Sequence, residues 1–248
     1  MAGMKRGPLL AAGAYLIWGV LPIYWRALAD VPAQEILIHR IIWSLAVVVV
    51  LLALRRQWRW LGDSLRRPAV LRVFLVTAVL LAVNWLVYLW ANNNGHIVET
   101  SLGYFITPLV SVVLGLLVLH ERMRSGQWLS VGIAALGVLF LVLTSGGTLW
   151  ISLLLALSFG FYGLLRKTAK LGSLEGLTME MAILFLPALA YWLWLFSRGE
   201  AAFGANGLST SALLAFSGVV TAVPLLLFAS GARLVPLTTL GLLQYIAP

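Results

Sequence analysis

The chain's 248 residues are 62% hydrophobic and only 10% charged, with a mean hydropathy of +1.00, outside the range of soluble domains. A formal net charge of +9 would suggest nucleic acid in a soluble protein. Here the basic residues sit in short connections, where anionic headgroups and topology account for them, and nucleic acid is excluded as a partner. The absence of Cys removes disulfide, thiol and thiolate-metal chemistry; three His without a second ligand at metal spacing give no zinc site, and no cofactor is expected.

Nine apolar stretches run along the chain, at roughly 7–26, 36–54, 70–91, 100–119, 127–144, 148–165, 176–197, 209–231 and 235–248. Eight are about 18–23 residues long, the length a helix needs to cross a ~30 Å hydrocarbon core. Segment 1 follows Lys5 and Arg6 as a signal peptide would, but it continues to about Ala27, too long for a cleaved apolar region, and reads as a spanning helix. Segment 2 opens on Glu35, His39 and Arg40, with Glu35 and His39 on one face and Arg40 about 140° round from Glu35. The following connection, 55–69, spaces Trp58, Leu61 and Leu65 as one apolar stripe with Arg55, Arg59 and Arg66 off it. It reads as a short amphipathic helix in the headgroup region, or as a plain orientation signal anchored by Trp. Segment 3 carries Asn84, Tyr88 and Asn92 at i, i+4, i+8, and segment 4 carries Thr100, Tyr104, Thr107 and Ser111 on one stripe.

Lys and Arg alternate between connections. Lys5, Arg6, Arg55, Arg56, Arg59, Arg66, Arg67, Arg72, Arg122, Arg124, Arg166, Lys167, Lys170 and Arg233 fall on one side, fourteen of seventeen, against Arg26, Arg40 and Arg198 on the other. The positive-inside rule then places the N-terminus in the cytoplasm of an inner-membrane-type, multi-pass protein.

The chain also repeats itself. Trp18 to Arg26 (WGVLPIYWR) is matched by Phe159 to Arg166 (FGFYGLLR), and each is followed by a carboxylate opening the next helix, Glu35 with Arg40 five on and Glu175 with Glu180 five on. Ser101-Leu102-Gly103-Tyr104 leading to Pro108 is matched by Thr239-Leu240-Gly241 leading through Gln244 and Tyr245 to Pro248. The unit is five helices, 1–144 and then 145–248. An odd unit must enter the membrane upside down on its second passage, the construction of secondary transporters whose site lies between the halves. The fold expected is all-α and integral to the membrane: a ten-helix transporter architecture of two inverted five-helix repeats, truncated within helix 9. Segment 9 has only fourteen residues, and the 36 from Pro108 to Thr144 in the first copy set roughly 35–45 residues as missing. A chain of this length is expected to be transport-inactive or unstable.

Several strings carry a resemblance: Tyr15 to Trp25 (YLIWGVLPIYW), Glu35 to Ser44 (EILIHRIIWS), Asn84 to Tyr88 (NWLVY), Ala91 to Tyr104 (ANNNGHIVETSLGY), Phe159 to Lys167 (FGFYGLLRK) and Gly241 to Pro248 (GLLQYIAP). Together they resemble the drug/metabolite transporter superfamily, in its EamA-type branch, and within it the RarD family of bacterial permeases. The resemblance implies a cytoplasmic-membrane transporter, with a family name linked to chloramphenicol sensitivity and no implied physiological substrate. Glu121 resembles the carboxylate that closes this helix in the superfamily and reads as a structural salt-bridge partner.

The candidate cavity residues are Trp18, Tyr24, Glu35, Arg40, Asn84, Tyr88, Asn92, Tyr104, Tyr162, Glu180, Gln244 and Tyr245. Two readings stand for most of them. Arg40 is either an interfacial cap snorkelling outward or a cavity cation for an anionic group, with Glu35 its partner or a proton carrier. The stripes of segments 3 and 4 are either interhelical glue or the lining of a site for a small organic molecule. Pro22, Pro108, Pro187, Pro224 and Pro248 are either static kinks or breaks marking the transport site. Trp25, Trp43, Trp58, Trp60 and Trp128 read as interfacial belt anchors. The function expected is secondary transport of a small metabolite or drug, with proton coupling and a homodimer as open options, and a membrane enzyme or channel as the alternative. An enzyme is disfavoured by the lack of a P-loop, nucleophile elbow or paired catalytic carboxylates, and a channel by the lack of a filter-like loop or charge ring.

Overall fold

The computed structural model describes residues 2–56, 58–145 and 148–247, and these are helical, without strands. In chain order the helices are α1 (Ala2–Arg26), α2 (Ala33–Arg55), α3 (Arg59–Leu65), α4 (Pro68–Asn93), α5 (Ile97–Leu117), α6 (Ser125–Ser145), α7 (Leu149–Thr168), α8 (Ser173–Ser197), α9 (Gly207–Ala232) and α10 (Leu237–Gln244). Eight are long and apolar enough to span a membrane. The exceptions are α3, a short helix within 55–69 as one of the two readings of that connection had it, and α10, which holds segment 9. Pro248, the expected counterpart of Pro108, lies outside the described residues.

The helix ends follow local chemistry. Arg56 closes α2 in the left-handed region, φ 52°, where its N–H reaches Ala53 O. Pro68 opens α4 in the first turn, where a missing N–H costs nothing. The first free N–H groups of α10, at Leu237 and Thr238, donate to the Glu121 carboxylate at 2.7 and 2.9 Å. Glu121 also lies 3.9 Å from Lys167 Nζ. It is therefore the structural partner expected, held by α10 and Lys167. Glu35 plays the matching part at the other end of the bundle. Its Oε1 accepts from Ala202 and Phe203 N–H at 2.7 and 3.1 Å, pinning the α8–α9 connection.

Packing runs across the two halves of the chain. Helix α1 lies on α9 and α10, and α4 on α7 and α8. Helix α2 crosses α8, α9 and α4, while α5 crosses α7 and α10. The α2–α9 crossing is close because Gly218 has no side chain: a Cβ there would come within 2.3 Å of the Trp43 carbonyl carbon. Helix α6 stands apart, packed on α5 with most of its surface outward. Arg166, assigned from sequence to a connection, sits inside the last turn of α7 and is 1% exposed.

Candidate functional site

A cavity of about 450 Å³ opens among α1, α2, α4, α5, α7 and α10. That volume lies in the range of small-molecule sites. Helix α1 supplies Tyr15, Trp18, Pro22 and Trp25, a helical spacing that turns one aromatic face inward. Helix α2 supplies Arg40, the cavity's one charged lining residue among those described. Asn84, Trp85, Tyr88 and Asn92 come from α4, Thr100, Tyr104, Phe105 and Thr107 from α5, Leu155 and Phe159 from α7, and Gln244 from α10.

Of the candidates read from sequence, Trp18, Arg40, Asn84, Tyr88, Asn92, Tyr104 and Gln244 are brought together in this lining. The other five are elsewhere. Tyr24 faces α9, its hydroxyl donating to Leu213 O, because it lies about a third of a turn from the Trp18–Pro22–Trp25 face. Tyr245 donates to Phe105 O at 3.2 Å across the α5–α10 contact. Glu35 is occupied with the backbone of the α8–α9 connection and lies 3.8 Å from His39 Nε2. It makes no ion pair with Arg40, contrary to one expectation. Tyr162 and Glu180 form a separate buried group, the Tyr162 hydroxyl donating to Glu180 Oε2 at 3.3 Å with Arg166 Nε 3.7 Å from Oε1.

Trp25, Trp85 and Tyr15 are among the lining residues that the sequence reading did not place in this cavity. Trp25 reads as a belt anchor but faces inward; its signal was the 18–22–25 spacing. Trp85 lies beside Asn84 on α4 and stacks under Arg40. Tyr15 donates to Leu240 O at 3.2 Å, joining α1 to α10 at the cavity wall.

Arg40 is 6% exposed. Its guanidinium carbon stands 4.7 Å from the Trp25 ring centroid and 4.3 Å from that of Trp85, a double cation–π contact. Its Nε donates to Thr221 Oγ1 at 3.1 Å. Opposite, Tyr88 and Tyr104 meet edge to face, ring centroids 5.6 Å apart. Asn84 divides its amide between both readings: Nδ2 donates to Leu155 O and Ser158 Oγ, each at 3.0 Å, while the residue also lines the cavity. Thr100 donates to Asn92 Oδ1 at 3.3 Å, tying α5 to α4.

A layer of rings closes the cavity on one side. Trp18 and Phe159 meet at 5.5 Å, Phe159 and Phe228 at 5.1 Å, and Phe228 stacks on Tyr162 at 6.0 Å. Beyond this layer lies the Arg166–Glu180 pair, 1% and 0% exposed. There Arg166 Nη2 donates to Ser173 O at 2.9 Å.

Eight apolar helices, each long enough to span a bilayer, make this a multi-pass membrane protein. The chain belongs to the EamA-like transporter family, whose sequence profile matches residues 5–143. Protein RarD of Streptomyces exfoliatus is 51% identical over 98% of this chain and 78% of that relative. Protein RarD of Escherichia coli K12 is 44% identical over 98% of this chain and 82% of its own length. A Pseudomonas aeruginosa protein described as an uncharacterized transporter is 44% identical over the whole of this chain and 83% of itself. The resemblance to the RarD family seen in the motifs is borne out, and the protein is a membrane transporter.

Proposed function

We propose that the protein is a secondary permease that carries a small metabolite or drug across the bacterial cytoplasmic membrane by alternating access, with its N-terminus in the cytoplasm. The cavity is its substrate site. The observation that carries this reading is the origin of the lining: Trp18, Arg40, Asn84, Tyr88 and Tyr104 come from residues 1–144, while Leu155, Phe159 and Gln244 come from 145–248. A site built between two halves is the arrangement inverted-repeat transporters use.

The packing supports two inverted five-helix repeats, in which α1, α2, α4 and α5 correspond to α7, α8, α9 and α10. Under that exchange the α1–α9 contact becomes α7–α4, and α2–α9 becomes α8–α4; both partners are present in each case. The α2–α8 and α5–α10 contacts map onto themselves, as pairs astride a two-fold axis must. Orientation rests on the fourteen basic residues gathered on the side of α3 and of the α5–α6, α7–α8 and α9–α10 connections.

Uptake of radiolabelled organic solutes, chloramphenicol among them, into proteoliposomes bearing the complete protein tests the reading. Saturable accumulation above equilibrium when a proton gradient is imposed supports a coupled permease. Conversion of the solute would make the protein an enzyme, and unsaturable equilibration would make it a channel.

A further inference from the structure

Arg40 is a cation held in the membrane interior without a counter-ion. Among the described residues no carboxylate lies within ion-pair distance of it, and its one hydrogen bond, from Nε, goes to a neutral hydroxyl. The nearest acid along the helix, Glu35, is engaged with the Ala202 and Phe203 amides. Two indole faces lie against the guanidinium, and its Nη donors have no hydrogen-bond partner among the described residues. The rest of the lining is neutral: phenols, amides, hydroxyls and apolar rings.

A buried charge is retained only when something pairs with it, and insertion of an Arg at a helix centre costs about 2.5–3.5 kcal/mol. Where a second arginine of this chain is buried, at Arg166, the fold supplies a carboxylate. At Arg40 it supplies a cavity. From this contrast we propose that the substrate class of the transport site is the small organic monoanion, its carboxylate or equivalent group docked on the Arg40 guanidinium and its apolar body against Trp18, Tyr88 and Tyr104. One cation with no second positive group in the lining matches a single negative charge; a dianion would bring an unpaired charge into the same low-dielectric space. The guanidinium fork suits a planar carboxylate bidentately. This inference rests on the cavity being the substrate site.

Isothermal calorimetry on the detergent-solubilised complete protein, with benzoate, phenylacetate and indole-3-acetate each titrated against its primary amide, tests it. The expected result is that at least one acid binds tenfold or more tightly than its amide, that Arg40→Gln abolishes the difference, and that Arg40→Lys retains part of it. Thermal unfolding of the same variants checks that they are folded. Equal binding of acid and amide, with both weakened by Tyr104→Ala, would overturn the anion proposal while leaving the cavity as the site. Preference for an acid that survives Arg40→Gln would overturn it too, by moving the anion elsewhere. Absence of binding by every probe, or binding untouched by both Tyr104→Ala and Arg40→Gln, would overturn the proposal and the cavity reading together.

Discussion

Two arginines of this membrane bundle are almost wholly buried, and their surroundings are opposite. Arg166 on α7 lies beside Glu180 on α8, donates to Ser173 O and has the Phe74 ring beneath it. Arg40 on α2 has two indoles, one threonine and open space. Glu180 and Arg40 each lie five residues after a carboxylate near the start of their helix, Glu175 and Glu35, yet one is half of a buried ion pair and the other a cation without a carboxylate partner. The lesson is that burial alone does not define a role. A charge the fold neutralises belongs to the structure of one end of the bundle; a charge it leaves unneutralised over a cavity points to something that arrives from outside.

The contrast can be broken most directly by neutralising each side. Glu180→Gln strands the Arg166 cation in a site it cannot leave, where Nε and Nη1 already lack hydrogen-bond partners. Loss of one member of a buried pair costs about 3–5 kcal/mol. A large drop in melting temperature is therefore expected in detergent. Arg40→Gln removes a charge that has no carboxylate partner among the described residues, and its melting temperature should stay level or rise. Equal destabilisation by the two variants would erase the distinction.

Next in size is Gly218→Leu, which drives a side chain into the Trp43 backbone at the α2–α9 crossing. Backbone cannot yield as a flexible side chain can, and overpacking of this kind costs about 1–3 kcal/mol or more. Folded yield should fall sharply, and normal yield would show that α2 and α9 do not meet here. Asn84→Ala should cost less, about 0.6–2 kcal/mol for interhelical hydrogen bonds, since it releases Leu155 O and Ser158 Oγ. Because Asn84 also lines the cavity, ligand affinity should change alongside stability. A stability loss with unaltered affinity would assign it to glue alone. The smallest effect is expected at Gly137→Ala on α6, where a new methyl meets open space. Helix propensity predicts a gain of up to about 1 kcal/mol, read as a slightly higher melting temperature, whereas destabilisation would mean that α6 packs against something there.

Much of this fold was legible because lipid imposes a simple length rule. The stretch read as 36–54 is α2, Ala33–Arg55, and the stretch 209–231 is α9, Gly207–Ala232. The short helix between α2 and α4 was legible from the Trp58–Leu61–Leu65 stripe. Stripes likewise gave the cavity faces of α4 and α5, since Asn84, Tyr88 and Asn92 share one side by helical period alone. On α1 the same arithmetic groups Trp18, Pro22 and Trp25, whereas Tyr24, read from sequence as a lining residue beside Trp18, lies about a third of a turn away. The pairing of Arg166 with Glu180 was hidden for a different reason. It depends on how the chain turns from α7 into α8, where Gly176, whose missing side chain makes room for the Arg166 guanidinium, comes against the end of α7. Nor could the sequence reveal that Glu35 is committed to the α8–α9 connection, a partner 167 positions away.

The central claim is that the cavity is a transport site reached in turn from both faces of the membrane. The chain's lack of Cys allows a single reporter to test it. A Tyr104→Cys reporter lines the cavity, and a Tyr162→Cys reporter lies in the ring layer, beside Glu180. Rates of reaction with an impermeant maleimide are measured in right-side-out and inverted vesicles. The account predicts that position 104 reacts from both faces, at different rates, while position 162 reacts from the cytoplasmic face only. Reaction of position 104 from one face alone, in the presence and absence of transported solute, would contradict alternating access through this cavity.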